Sequence, residues 1–171
     1  MSFTEISAKE LKENFIKDIA DEWMLIAAGN KSGYNMMTAS WGFIGEMWGA
    51  DTAMCVVRPQ RYTMEFIDKS DYFTLSFYGD QRQIHKICGS LSGRDVNKTE
   101  MAKLTPVFAD NSVYFAEARL VIICRKQYAA PLEEKYFTDR EIIDKWYSGD
   151  YHNMVFGRIE KVLIKDGENL G

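Results

Sequence analysis

The sequence is poor in histidine and cysteine, which supply many metal ligands, all disulfides and the bases or nucleophiles of Ser/His/Asp and Cys/His catalytic sets. Of its 171 residues only two are histidine (His85 and His152) and three are cysteine (Cys55, Cys88 and Cys124). The cysteines form no CxxC pair, and an odd number fits a disulfide framework poorly. Metal-ligand spacings, GxGxxG and a P-loop are also missing. We therefore expect buried reduced thiols, no metal and, if the protein is an enzyme, chemistry supplied by a bound cofactor.

Long apolar runs and an excess of positive charge are missing as well. No apolar stretch approaches the roughly 20 residues of a membrane helix. The N-terminal MSFTEISAKELKENF contains no signal-peptide core, so we expect a cytoplasmic protein that does not contact a membrane. The formal charge of −4 argues against a nucleic-acid partner. A hydrophobic content of 46% over this length favours one domain with a sizeable core.

Segments with strand character do not alternate one for one with helical segments. Helical patterns occur at 7–20, where a capping box opens the segment, and at 62–67, 80–88 and within 133–146. Glycines predict a loop over 42–49, and Gly157 predicts a bulge in the last strand. This pattern favours a mainly β antiparallel barrel with helices packed outside it over a parallel doubly wound sheet. The predicted strands cover residues 23–28, 36–41, 52–57, 72–78, 112–128 (as one strand or two) and 154–164.

The stretch VVRPQRYT at 56–63 places two arginines between a predicted buried strand and a predicted helix. Pro59 suits the first turn of a helix, whose start carries free N–H groups and partial positive charge. Arg58, Arg61 and the Thr63 hydroxyl would complete a phosphate site there. The alternative is a pair of ordinary surface arginines that bind acidic side chains of the same helix.

Two other stretches carry small polar residues that suit a ligand. Within NMMTASWG at 35–42, Thr38 and Ser40 can bond the polar edge of a flat ligand, and Trp41 can stack on its ring. The loop 90–98 combines hydroxyls, a glycine and two cations, which suits a phosphate or a ribose. Turn chemistry with core tryptophans is the alternative for the first stretch, and a solvated loop is the alternative for the second.

The two histidines occupy different settings. His85 lies in a predicted helix and is expected at the surface. His152 directly precedes the last predicted strand. No spacing brings either one into a Ser/His/Asp or Cys/His catalytic set.

Taken in order, these stretches resemble the flavin reductase-like family of FMN-binding split barrels, and in particular its flavoredoxin type. The resemblance spans about residues 15–166, which leaves 1–14 as an N-terminal extension of a single 1–171 domain. It implies a six-stranded antiparallel split β-barrel of the FMN-binding type, a homodimer, and FMN bound near the subunit interface. The stretches that carry it are WMLI at 23–26, NMMTASWG, Trp48-Gly49, VVRPQRYT, LSF at 75–77, SGRDVNK at 92–98 and YHNMVFGRI at 151–159.

The resemblance also implies roles for particular residues. His152 would lie on the side where a nicotinamide donor, NADH or NADPH, approaches. The family commonly has Gly-Glu-Ile/Val where this chain has Gly157-Arg158-Ile159, so the charge beside His152 differs, which bears on nicotinamide use more than on FMN binding. The implied cofactor-binding residues are Asn35, with Thr38, Ala39, Ser40 and Trp41 along the isoalloxazine ring and ribityl chain, Arg58, Arg61, Tyr62 and Thr63 at the phosphate, and Ser92, Arg94 and Lys98 nearby.

Three functions are compatible with this resemblance. The first is an NAD(P)H-dependent flavin reductase-like oxidoreductase, in which electrons pass through flavin N5. The second is a flavoredoxin-type electron carrier that holds FMN and takes electrons from a redox protein partner. The third is a non-redox split barrel that binds another ligand.

Overall fold

Within residues 2–109 and 111–167, which this computed structural model describes, the chain forms ten β-strands and five α-helices. The strands are β1 (Phe3–Ile6), β2 (Met24–Asn30), β3 (Gly33–Ala39), β4 (Gly42–Met47), β5 (Ala50–Val57), β6 (Tyr72–Phe77), β7 (Pro106–Ala109), β8 (Ser112–Phe115), β9 (Leu120–Pro131) and β10 (Asn153–Lys165). The helices are α1 (Phe15–Lys17), α2 (Tyr62–Lys69), α3 (Arg82–Ser90), α4 (Lys98–Met101) and α5 (Arg140–Trp146). None of the described helices is long and apolar enough to span a bilayer.

One antiparallel sheet dominates the fold, in the order β3-β2-β6-β9-β10-β5-β4, with β1 paired to β10. Its two edge strands, β3 and β4, follow each other in the chain and are joined by only Ser40 and Trp41. A two-residue connection can join opposite edges only if the sheet curls until those edges meet. The sheet stays open between them, so the predicted mainly β antiparallel split barrel is confirmed. The main sheet contains β1 and β4 in addition to the six predicted strands.

Both faces of β2 are buried, which explains its unbroken apolar sequence. Met24, Ile26 and Ala28 pack into one core cluster, inside the barrel, with β5, β9 and β10. Leu25 and Ala27 point to the opposite face and pack into a second cluster with α3 and β8. Gly157 lies at a register shift between β10 and β9, as predicted, and its Cα faces the ring of Phe73.

Two local predictions are wrong. Residues 42–47 form the edge strand β4 rather than a loop, because they pair with β5 through main-chain groups that glycine supplies as well as any residue. Within 42–49, left-handed backbone occurs only in the β4–β5 turn, at Trp48 and Gly49. The helix predicted over 7–20 is broken into a capped 3₁₀ turn (Ala8–Glu10), α1 and a π-helical turn (Asp18–Glu22).

The segment that contains α1 is held to the barrel by a half-buried charge cluster. The guanidinium of Arg119 bonds Glu22 at 2.7 Å and Glu13 at 2.9 Å, and it lies 3.9 Å from Asp18. Burial, and then the neighbouring Glu13 carboxyl, raise the pKa of Asp18 to about 6. One cation therefore holds three carboxyl groups, and one of these is costly to ionise.

Candidate functional site

A polar pocket of about 250 Å³ lies at the start of α2. Three separate segments form it: β3, the β5–α2 connection, and the α3–α4 connection. Eight of the twelve residues predicted to bind a cofactor line this pocket, which we call the polar pocket. They are Asn35, Arg58, Arg61, Tyr62, Thr63, Ser92, Arg94 and Lys98.

The start of α2 differs from the prediction. Pro59 does not open the helix, because residues 58–61 form a turn in which the Arg61 N–H bonds the Arg58 carbonyl at 3.0 Å. The helix begins at Tyr62, with Arg61 as an extended N-cap that provides no side-chain hydrogen bond. The first N–H groups of α2 therefore have no side-chain cap and can serve a ligand.

Asn35 and Thr63 fix the wall of the polar pocket. The Asn35 amide donates a 2.9 Å hydrogen bond to the Thr63 hydroxyl, and both residues are buried. On the other side of Asn35, a Cβ at Gly93 would lie 2.2 Å from the side-chain amide oxygen Oδ1 of Asn35. The loop after α3 therefore needs a glycine at this position to reach the pocket.

The four cations of the polar pocket fall into two pairs with different partners. Arg58 forms an ion pair with Asp150, and Arg94 forms one with Glu65 while lying 4.5 Å from the centre of the Tyr62 ring. The predicted alternative, in which α2 carboxylates pair with Arg58 or Arg61, is therefore wrong. Glu65 instead binds an arginine of the opposite loop.

Arg61 and Lys98 have only carbonyl partners. Arg61 donates to the Gly89 oxygen at 3.2 Å. The Lys98 side chain is buried, and its ammonium donates to the main-chain oxygens of Met36 and Cys88. In the part of the chain that the structure describes, neither cation has a carboxylate in ion-pair range. Burial lowers the pKa of Lys98. A buried ammonium without a counter-charge among the described residues would be stabilised by an anion in the polar pocket.

A second cavity, which we call the apolar groove, measures about 600 Å³. Ser40 and Trp41, which join the sheet edges, are part of its wall, as are Tyr147 and side chains of β4 and β5. The N-terminal segment closes one side with Phe15, Ile16, Ile19 and Ala20. The lining is almost entirely apolar, so it suits a flat hydrophobic ring.

Thr38 and Ala39 line neither cavity. Ala39 packs against the barrel core. The Thr38 hydroxyl donates a 2.9 Å hydrogen bond to the main-chain oxygen of His85, so this hydroxyl can act only as an acceptor toward a further group. Trp48 is also absent from both linings. It is 57% exposed and packs beside Tyr128 and Phe156.

His85 is not a surface residue as predicted. It is only 1% exposed and lies edge-on to the rings of Trp23 and Tyr78. The reason is that α3 turns this face toward β3, where the His85 ring nitrogen Nδ1 is 3.4 Å from the Thr38 hydroxyl. Burial lowers the pKa of His85 to about 4, so its imidazole is neutral at pH 7.

His152 lies behind the apolar groove. Its Nδ1 is 3.1 Å from the Tyr147 hydroxyl, and its ring centre is 5.1 Å from that of Trp41. Burial, and then the positive charge of Arg58, lower the pKa of His152 to about 4. The imidazole is therefore neutral at pH 7 and can exchange hydrogen bonds without adding charge.

The sequence analysis missed the acidic partner of this region. Asp150 accepts hydrogen bonds from Arg58 and, at 2.9 Å, from Gln60. Asp150 stands 92 residues from Arg58 in the chain, and no spacing or motif links the two. Only the pairing of β5 with β10 brings them together.

The chain was compared with protein families, curated proteins and solved structures. Residues 16–171 match the family model described as "Flavin reductase like domain". No curated protein matches the chain. The flavoredoxin of Methanosarcina acetivorans is 20% identical, with a TM-score of 0.65 over 85% of this chain and 69% of that one.

Two further solved structures are similar at lower identity. The FMN-binding domain of a flavin reductases-like enzyme from Shewanella baltica is 15% identical, with a TM-score of 0.67 over 95% of this chain and 77% of that one. The NADH:FAD oxidoreductase of Streptomyces globisporus is 12% identical, with a TM-score of 0.63 over 86% and 78% of the two chains. At these identities the likeness shows a shared fold. The match over nearly the whole chain shows that this protein belongs to the flavin reductase-like family.

Proposed function

We propose that the protein is an FMN-binding oxidoreductase in which the polar pocket holds the FMN phosphate. The observation that carries the proposal is a pair of cations beside the uncapped start of α2: Arg61 and Lys98 have no carboxylate partner among the residues that the structure describes. A phosphate would supply the missing negative charge and would accept the free N–H groups. Thr63, Tyr62, Ser92 and Arg94 line the same pocket.

The residues present also fit the rest of FMN. Ser40 and Trp41 border the apolar groove, which suits the isoalloxazine ring. Asn35, Thr38 and Ala39 lie on β3, the strand that leads from the polar pocket toward Ser40. Bound FMN would supply one- or two-electron chemistry at N5. The chain's own contribution is to bind the phosphate, orient the ring, exclude water with apolar side chains and keep neutral imidazole nearby.

The electron donor distinguishes two versions of this function. In the first, NADH or NADPH reduces the bound flavin, as the printed name of the Streptomyces relative describes for that protein. In the second, the protein is a flavoredoxin-type carrier that takes electrons from a redox protein. One observation bears on the role of His152 in the first version: it is 9% exposed and is covered by Trp41 and Tyr147, so a nicotinamide would contact it only if these rings moved.

We also propose that the protein acts as a homodimer. Several apolar side chains around the groove and along β4 face solvent in the single chain, including Ile16 at 87% and Phe43 at 70% exposure. Clusters of this kind mark interfaces in soluble proteins. Light scattering should give twice the mass of one chain, and Phe43→Asp should shift the mass toward the monomer. A monomeric wild-type protein with FMN bound would contradict the dimer.

Phosphate recognition is tested by comparing FMN with riboflavin, which lacks the phosphate. We expect Arg61→Ala combined with Lys98→Met to weaken FMN binding in equilibrium dialysis by at least about tenfold, because each charge-assisted contact contributes about 1.5–3 kcal/mol. Riboflavin affinity should change little. Lys69→Ala, at the far end of α2, is the matched control. Equal FMN affinity in the double variant and wild type would overturn the assignment.

The donor is tested by an anaerobic visible spectrum of the FMN complex. Bleaching of the visible flavin absorbance on addition of NADH or NADPH would support the nicotinamide-linked reductase. Bleaching by dithionite alone would support the carrier. A protein that binds neither FMN nor riboflavin would contradict both and leave the non-redox ligand-binding barrel.

A further inference from the structure

The guanidinium group of Arg58 donates hydrogen bonds to a segment that is far away in the chain. One guanidinium nitrogen, Nη1, bonds the Asp150 carboxylate and lies 3.3 Å from the main-chain oxygen of the same residue. The other, Nη2, donates a 2.8 Å bond to the main-chain oxygen of Trp146 at the end of α5. The planar group also lies 5.4 Å from the centre of the Tyr147 ring. Arg58 thereby holds both ends of the connection 146–150, and we call this set of contacts the clasp.

Asp150 is held in turn by more than Arg58. Its second carboxylate oxygen accepts the N–H of Ser148 at 3.3 Å, and Gln60 donates to the oxygen that faces Arg58. The pKa of Asp150 is lowered by the hydrogen bond from Gln60, then by that from Arg58. The carboxylate is therefore ionised at neutral pH and neutralises Arg58. This sets Arg58 apart from Arg61, which meets no carboxylate in the described part of the chain.

Tyr147 connects this clasp to His152. Its ring lies under Arg58, its hydroxyl is 3.1 Å from His152 Nδ1, and its side chain lines the apolar groove. The backbone of His152 is fixed separately, because its carbonyl accepts the N–H of Leu132 at 2.8 Å. The ring of His152 therefore takes its environment from Tyr147 and Trp41, and the position of Tyr147 depends on Arg58.

We propose that Arg58 is a positioning residue for the groove wall rather than a ligand of the anion: it clasps residues 146–150 and thereby holds Tyr147 against His152. The inference deepens the proposed function, since it assigns anion binding to Arg61 and Lys98 and gives Arg58 the task of joining the polar pocket to the apolar groove. Its first test needs no flavin, so its failure is distinguishable from failure of the proposed function.

The first test is a proton NMR titration of the imidazole signals, which are easily assigned because the chain contains only two histidines. The groups that act on His152 are Tyr147, Arg58, Asp150 and Arg61. Arg58→Lys keeps the positive charge but loses the fork that reaches both Trp146 and Asp150. We expect the His152 pKa to rise by at least about one unit toward its ordinary value, because a loosened Tyr147 admits water.

The variants Arg58→Gln and Arg125→Lys complete the series. Arg58→Gln should also raise the His152 pKa, whereas Arg125→Lys, at an exposed arginine of β9, should leave it unchanged. His85 serves as the internal reference, since it lies against Trp23 and Tyr78 instead. If Arg58→Gln raises the pKa but Arg58→Lys does not, the effect is one of charge alone and the positioning role is wrong. No change in either variant would also overturn it.

Asp150→Asn tests the proposal should an Arg58 variant fail to fold, because loss of charge and loss of the clasp change the His152 pKa in opposite directions. Loss of the Asp150 charge by itself would lower the His152 pKa, because a nearby carboxylate favours the imidazolium. Loss of the clasp would raise the pKa by hydration. A rise therefore supports the proposal, and a fall or no change contradicts it.

The second test separates Arg58 from the anion site. The ratio of riboflavin to FMN dissociation constants should fall at least about tenfold in Arg61→Gln and stay within about twofold of wild type in Arg58→Gln. An equal collapse in both variants would make Arg58 a phosphate ligand and overturn the proposal. If wild type binds no flavin, the proposed function fails, and the histidine titration alone decides the role of Arg58.

Discussion

The side-chain amide of Asn35 donates a 2.9 Å hydrogen bond to the hydroxyl of Thr63. The two residues are almost fully buried and belong to different elements, the edge strand β3 and the first turn of α2. A buried donor and acceptor that satisfy each other also fix how their elements meet. This bond therefore sets the width of the polar pocket.

We expect Asn35→Ala to lower the free energy of unfolding by about 1–3 kcal/mol, because it leaves the buried Thr63 hydroxyl without its donor. Thr63→Val should cost a similar amount. Urea unfolding of both single variants and the double variant measures the coupling, which should be about 0.5–1.5 kcal/mol. Strictly additive effects would show that the bond is not formed in solution.

Gly157→Ala should destabilise the barrel. A Cβ there would lie 2.5 Å from a ring carbon of Phe73 and 2.8 Å from the Cβ of Cys124, in the middle of the core. We expect a loss of about 1–3 kcal/mol from overpacking. Gly45→Ala is the matched control, since nothing lies within 4 Å of its added Cβ. Thermal melting should separate the two variants, and equal melting temperatures would contradict the tight packing at 157.

Asp18→Asn should make the protein more stable at neutral pH. The folded-state pKa of Asp18, about 6, lies above its ordinary value of 3.8, so ionised Asp18 costs stability above pH 6. That cost disappears as the pH falls below about 4. We expect a gain of about 1–3 kcal/mol at pH 7.5 and none at pH 4. Urea unfolding at both pH values checks this, with the exposed Asp21→Asn as control. A gain independent of pH would point to another cause.

The three cysteines should resist thiol reagents in the folded protein. All three are free and buried, and burial raises the pKa of Cys55 to about 12 and that of Cys88 to about 11. Since the thiolate is the reactive form, we expect almost no reaction with Ellman's reagent in buffer and three thiols after unfolding in guanidinium. Rapid release of one equivalent from native protein would show that a cysteine is accessible.

Much of the fold was predictable because it rests on local pattern. The unbroken apolar run at 23–28 and the alternation at 72–78 predicted the ends of β2 and β6 to within two residues. The strand β4 was missed because an edge strand pairs through its main-chain groups alone. The glycines of this segment predict a loop, although their main-chain groups pair as well as those of any other residue. His85 was misplaced because its exposure depends on which neighbour covers α3, and helical spacing does not identify that neighbour.

The sequence by itself determined the mainly β class, the scarcity of histidine and cysteine, and the segments from which the polar pocket is built. Their side-chain types suffice for this, because hydrogen-bonding capacity and charge belong to the residue. The tertiary structure decided which cations are already neutralised. Arg58 and Arg61 stand three residues apart in one motif, yet of the two only Arg58 meets a carboxylate of a described residue, because the pairing of β5 with β10 brings Asp150 to it across 92 residues. Ion pairing depends on distance in space, which the order of residues does not encode locally.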